Sequence, residues 1–284
     1  MSKKIISIIL LTFFISNVVF GDAEVGDKVV SLGQDLTEKQ KTDMLEYFNV
    51  EEEVRVIEVT NEEERKYFGE YISSEIIGSR ALSCVYVEKL DKQKGIDVDS
   101  NNITWVTDEM YINALATVGI KDAKVIVNSP VKVTGTAALT GIIKAFEDMT
   151  DEKISENAKK VASEELSKTS KLGNEIGKEK AINLINEIKI YIINNNINDI
   201  DEIKKVVEKK ANELNISLTQ EQIDEITKLM ENISKLDLDI DEIKTQLKGL
   251  GEKLNKIINE NEETRSFIQK LIDAIKNFFD KIFG

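Results

Sequence analysis

The chain has no histidine, one cysteine, one proline and one tryptophan in 284 residues. Without histidine there is no serine or cysteine nucleophile that leans on an imidazole base, and most catalytic zinc sites are removed as well. A lone cysteine, Cys84, forms no intrachain disulfide. Its flanks, Ala81-Leu82-Ser83 and Val85-Tyr86-Val87, read as a buried strand holding an inert thiol, since reactivity needs an electropositive, accessible setting. Basic residues are also short, 38 Lys and Arg against 52 Asp and Glu, for a net charge of −14. That balance argues against nucleic acid and against non-specific attraction to an anionic envelope, because like charges repel.

What remains is globular: charged residues are 32% of the chain and hydrophobic ones 41%, enough for one large domain or two smaller ones. Lys3 and Lys4 precede an apolar run, Ile5–Ile15, and then Ser16-Asn17 and Val19-Phe20-Gly21. This is the order of a secretory signal peptide over residues 1–21, cleaved after Gly21 or Ala23; an uncleaved anchor is the alternative. The chain is therefore expected at the outer face of the cell envelope or in the medium.

Strands alternate with helices up to Thr150, which predicts an α/β domain over 24–150 with a sheet of about four strands. Strands are expected at Lys28–Leu32, Val54–Val59, Ala81–Leu90, Ala123–Val127 and, as a return strand, Ile96–Ser100 with Ile103–Val106. Thr37-x-x-Gln40 reads as a capping box, Asn61-x-x-Glu64 as the start of a second helix, and Asp108–Val118 as a third. Pro130, the sole proline, breaks the chain before a small-residue helix over 136–148.

After Thr150 only helices are expected, in a domain over 151–284. Ile223, Ile226, Met230 and Ile233 form one 3-4 seam, and Ile240, Ile243, Leu247, Leu250, Leu254 and Ile257 another, which predicts an antiparallel hairpin turning at Leu236–Asp239. An amphipathic helix over 263–283 ends the chain. Its apolar stripe, Phe267, Leu271, Ile275, Phe278, Phe279 and Ile282, suits docking on its own domain, a partner's groove or a membrane surface.

Two places invite a ligand. Gly135-Thr136-Ala137-Ala138-Leu139-Thr140-Gly141 lies between strand and helix, where backbone N–H groups can cradle an anion. It is no phosphate loop of the NTPase kind, since Ile142 stands where that motif has lysine; small residues also let a helix sit close on a sheet. Arg80, at a strand entrance, can hold a carboxylate or phosphate bidentately, or pair with one of the many glutamates. With Thr134, Thr136 and Gly141 these make one candidate site. The other is a calcium loop: Asp97, Asp99, Asn101 and Asp108 follow the ligand order, but Asn102 replaces the turn glycine and a polar hairpin fits as well. Beyond calcium no cofactor is expected.

Several segments together resemble the exported YpuA-like family of Gram-positive bacteria, catalogued as domain of unknown function 1002. They are Leu32-Gly33-x-Asp35-Leu36-Thr37, Val59-Thr60-Asn61-Glu62-Glu63-Glu64-Arg65, Ile77-Gly78-Ser79-Arg80-Ala81, Val85-Tyr86-Val87-Glu88, Asn102–Thr107 and Gly135–Gly141. The resemblance implies a secreted or surface protein and assigns no role to any residue. The expected function is non-enzymatic: binding of a protein partner, or self-association, through the helical part. The alternative is a small-ligand protein or envelope-modifying enzyme working in a cleft at Arg80 and Gly135–Gly141.

Overall fold

The computed structural model describes residues 23–50 and 53–246. The expected leader at 1–21, the stripe at 263–283 and the second seam beyond Gln246 lie outside them.

Five strands form one sheet, not about four: β1 (Lys28–Gly33), β2 (Arg55–Val59), β3 (Cys84–Lys89), β4 (Ile96–Ser100) and β5 (Ala123–Asn128), in the order β2-β1-β3-β5-β4. β2, β1, β5 and β4 run one way and β3 runs against them. The expected return strand does not pair with β3. β4 instead lies parallel to the far side of β5. Asn102, at φ +59°, ends β4, so Ile103 keeps a single bridge to Val133 instead of extending a strand.

Alternate residues of the sheet feed two cores. Val30, Leu32, Cys84 and Tyr86 face Met44 and Phe48 of α1 (Glu38–Phe48). Val29, Val85, Val87, Val98, Val125 and Val127 face α4 (Asp108–Thr117) and α5 (Thr136–Thr150). Cys84 is fully buried, and burial pushes its thiol up to about 12. Gly141 lets α5 sit close on the sheet: a Cβ there would lie 3.1 Å from Ser31 Oγ and 3.3 Å from Val85 Cγ2.

α2 (Asn61–Phe68) begins at Asn61, the residue expected to cap it, so its cap lies one residue earlier. Thr60 is the N-cap; its hydroxyl accepts from Glu63 N–H at 3.0 Å, and Glu63 Oε2 accepts from Thr60 N–H at 2.9 Å. With Glu63 in that role, Glu64 turns inward beside Phe68, one helical turn on, and both are buried. α3 (Ser74–Ile77) follows.

The second half is helical: α6 (Glu156–Ile176), α7 (Lys178–Asn194), α8 (Ile200–Glu213), α9 (Gln220–Ser234) and α10, described over Ile240–Gln246. α5 runs to Thr150, Asp151 takes a left-handed conformation, and α6 starts at Glu156, capped by Ser155. α6 packs on α2 and α4, and the sheet-side core runs on into Ala162, Leu166, Ile182 and Ile243. The expected hairpin of α9 with α10 is not what the described residues form. α9 packs on α8, α6 and α7, where Ile226, Met230 and Ile233 are buried. α10 instead lies on α4 and α7. It is tied there by Lys121–Glu242 (2.5 Å) and by Asp122 N–H donating to Gln246 Oε1 (2.9 Å). Among the described residues no helix is long and apolar enough to cross a membrane.

Candidate functional site

The four like-directed strands end on one edge of the sheet, where ligands of α/β proteins gather. At that edge lies a cleft of about 320 Å³. One wall is the α3 end and the run Gly78–Arg80, and the other is Val131–Ala137. Both walls are fixed by hydrogen bonds. Arg65 of α2 donates from Nε to Asn61 Oδ1 (2.9 Å), from Nη1 to Ser74 Oγ (3.1 Å) and from Nη2 to the Gly78 carbonyl, so α2, α3 and the Gly78 turn are tied together. Asp35 accepts from Ala81 N–H at 2.8 Å, holding the segment that carries Arg80. Thr134 ties the walls together by donating to the Ile76 carbonyl at 3.0 Å.

Gly135 sets the entry into α5. It has φ +99°, and a Cβ there would lie 2.5 Å from both Ile103 Cγ2 and Tyr111 Oη. Only glycine meets both demands. Tyr111, fully buried on α4, donates to the Gly135 carbonyl at 2.5 Å. Burial first, then the charges of Asp108 and Glu64, raise its phenol well above its ordinary value. α5 consequently opens into the cleft with no capping side chain and no acid in its first turn. The partial positive charge of its N-terminus is left for whatever enters.

The charges are distributed unevenly over this cavity. Arg80 and Lys132 stand exposed on opposite walls, and neither has an ion-pair partner among the described residues. Glu75 is exposed on the rim, its carboxyl held low by hydrogen bonds from Ser73 and from its own backbone N–H. Glu64 lies at the base, 1% exposed. It accepts from the Thr136 hydroxyl and, at 3.1 Å, from Asn61 Nδ2, with no cation bonded to it. Burial pushes its carboxyl up to about 7; those two bonds and the charge of Arg65 offset only part of the shift. Thr134 and Thr136 hydroxyls are 3.3 Å apart.

Arg80, Thr134, Gly135 and Thr136 are thus brought together as the sequence suggested, whereas Gly141 is a packing residue deeper in α5. Asp97, Asp99, Asn101 and Asp108 are not gathered around a point. Asp97 and Asp99 are exposed in the regular edge strand β4, and Asp108 opens α4. Among the described residues no group of three or more acidic, cysteine or histidine side chains is placed to hold a metal ion. Sequence reasoning missed Glu64 and Lys132. Glu64 was legible in principle, because Thr60-x-x-Glu63 is as good a capping box as the one chosen and turns Glu64 inward. Lys132 gave no local signal.

Three of the segments that carry the resemblance, Val59–Arg65, Ile77–Ala81 and Gly135–Gly141, supply lining residues of this cleft, and comparison with known proteins agrees with the resemblance. The chain belongs to the family described as a protein of unknown function, DUF1002, whose model matches residues 32–250. It is similar to an uncharacterized protein, YpuA, of Bacillus subtilis (strain 168), 43% identical over 274 residues, which is 96% of this chain and 94% of that relative. No solved structure matches it.

Proposed function

We propose that this is a small-ligand protein that binds an anionic molecule in the cleft beneath Arg80. The observation carrying this reading is the pair of unpartnered cations, Arg80 and Lys132, flanking the uncapped N-terminus of α5. A guanidinium with free donors, a facing ammonium and a helix N-terminus supply the contacts an oxyanion needs. Cavities of this size hold small molecules rather than polymers.

The other expectation, a partner held by the helical seams, has less behind it, because the α9 seam is buried within its own helices. The terminal stripe at 263–283 keeps that idea open only outside the described residues.

The test is thermal stabilisation by a panel of short-chain carboxylates and sulfate. At least one anion should raise Tm in the wild type, and Arg80→Ala with Lys132→Ala should weaken its binding about tenfold or more. An equal shift in that double variant, or no shift from any anion, overturns the reading. The leader at 1–21 belongs to the same proposal and puts the cleft outside the cytoplasm. Its check is N-terminal sequencing of exported protein, which should begin at Asp22 or Glu24; a chain retaining Met1 in the cytoplasm would refute export.

A further inference from the structure

The cleft has cationic walls and an acid at its base, and that combination limits what can enter and in what form. Resting on the ligand-binding reading above, we propose that the ligand is a small carboxylate with a short apolar body, bound together with one proton that Glu64 takes up. In effect the site binds a weak acid as an anion and a proton held apart.

The apolar body follows from the lining. Besides the cations and hydroxyls, Ile76, Ile77, Leu82, Val131, Val133 and Ala137 face the cavity. Aliphatic patches beside a largely polar lining leave room for a short apolar body next to the charged group, which a bare inorganic ion does not use.

The proton follows from the hydrogen bonds. A hydroxyl has one hydrogen to give. Thr134 gives its hydrogen to the Ile76 carbonyl, so towards the cleft it can only accept. Thr136 is bonded to Glu64 Oε1, and the direction of that bond depends on the proton. With Glu64 ionised, Thr136 must donate to the carboxylate and has nothing for a ligand. With Glu64 protonated, the acid can donate to Thr136, and the Thr136 hydrogen turns to the ligand's oxygen. An incoming anion also repels an ionised Glu64, whose burial leaves such repulsion less screened than at the surface. Both effects favour the same state, an anion on Thr136 and a proton on Glu64.

The surroundings leave Glu64 as the group that responds. Arg65 on its own helix is engaged with Asn61, Ser74 and Gly78. From α5, Lys144 is held by Glu63 at 2.6 Å, and from α6, Lys159 is held by Glu147 and Glu156. From α4, Tyr111 senses the charges of both Glu64 and Asp108, and it is far too weak an acid to ionise near neutrality. Glu75 from α3 is held as a carboxylate, while Arg80 and Lys132 are the cations of the walls. The chain has no histidine to titrate in their place. Burial gives free Glu64 a carboxyl near 7, so the coupling falls in the physiological range.

The experiment is calorimetric titration of the full-length protein with hexanoate and, separately, sulfate, neither of which changes charge between about pH 6 and about pH 8.5. Each titration is run in two buffers of different ionisation enthalpy, which counts protons without any variant. Hexanoate should bind with net proton uptake at the upper pH and at least about tenfold more weakly there than at the lower. Sulfate should bind more weakly than hexanoate. Glu64→Gln should bind hexanoate with an affinity that is flat to within about twofold across the same range. Hexanoate binding that is independent of pH, with no proton uptake, overturns the coupling and leaves the cleft a ligand site. Persistent pH dependence in Glu64→Gln overturns the role of Glu64. Sulfate binding as tightly as hexanoate overturns the choice of a carboxylate with an apolar body. Failure of both probes at both pH values overturns the coupling and the ligand-binding reading together.

Discussion

Two glutamates lie equally deep in this protein, and they are held in opposite ways. Glu165 sits between α4, α6 and α7, 1% exposed, as Glu64 is beneath the cleft. Lys189, fully buried, meets Glu165 Oε1 at 2.7 Å, and Thr117 donates to the other oxygen at 2.5 Å. The three donors of Lys189 reach Glu165, the Thr117 hydroxyl (3.1 Å) and the Asn113 carbonyl (3.2 Å). That charge is matched and its oxygens are hydrogen-bonded, so it joins three helices. Glu64 has a hydroxyl and an amide in place of a lysine. A buried carboxyl without a cation is a poor element of structure, and at the end of a sheet, beside free cations, it is better understood as part of a site.

The comparison breaks most easily on the matched side. Lys189→Met should leave Glu165 buried and uncompensated, at a cost of about 3–5 kcal/mol, whereas Lys189→Met with Glu165→Met should recover most of it. Urea denaturation of the single and double variants measures this. A single variant within about 1 kcal/mol of wild type would mean that the pair does not hold the helices.

The unmatched side should give a smaller effect of distinct form. Glu64 has a folded value near 7 against an ordinary 4.5, so the folded state holds the proton more tightly than the unfolded one. Its contribution is complete below pH 4.5 and is lost as pH climbs from there through about 7, on the order of 2–3 kcal/mol in all. Glu64→Gln should remove that slope. Denaturation curves at about pH 5 and about pH 8 compare the two proteins, and identical slopes would show that Glu64 does not titrate in this window.

Much of this arrangement was legible in the sequence. The box at Thr37 caps α1 as read, and strands β1, β4 and β5 fall where they were expected. These are local signals. Strand order is not local: nothing in Ile96–Ser100 says that it pairs with β5 rather than β3, because an edge strand with Asp97 and Asp99 outward fits either neighbour. The partner of α9 was equally hidden, since a 3-4 seam says that a helix is covered without saying by what. At the cleft, Arg80 and Gly135 announced themselves by residue type. Glu64 was obscured by three consecutive glutamates, any of which can look like a cap.

Cys84 has a practical consequence. As the sole thiol, fully buried and with burial holding it protonated, it offers maleimides and spin labels no reactive anion while the protein is folded. A cysteine placed at the exposed Ser79 would then be the only reactive thiol in the native chain. A dye or nitroxide there would report directly on events at the mouth of the cleft, with no background to be engineered away first.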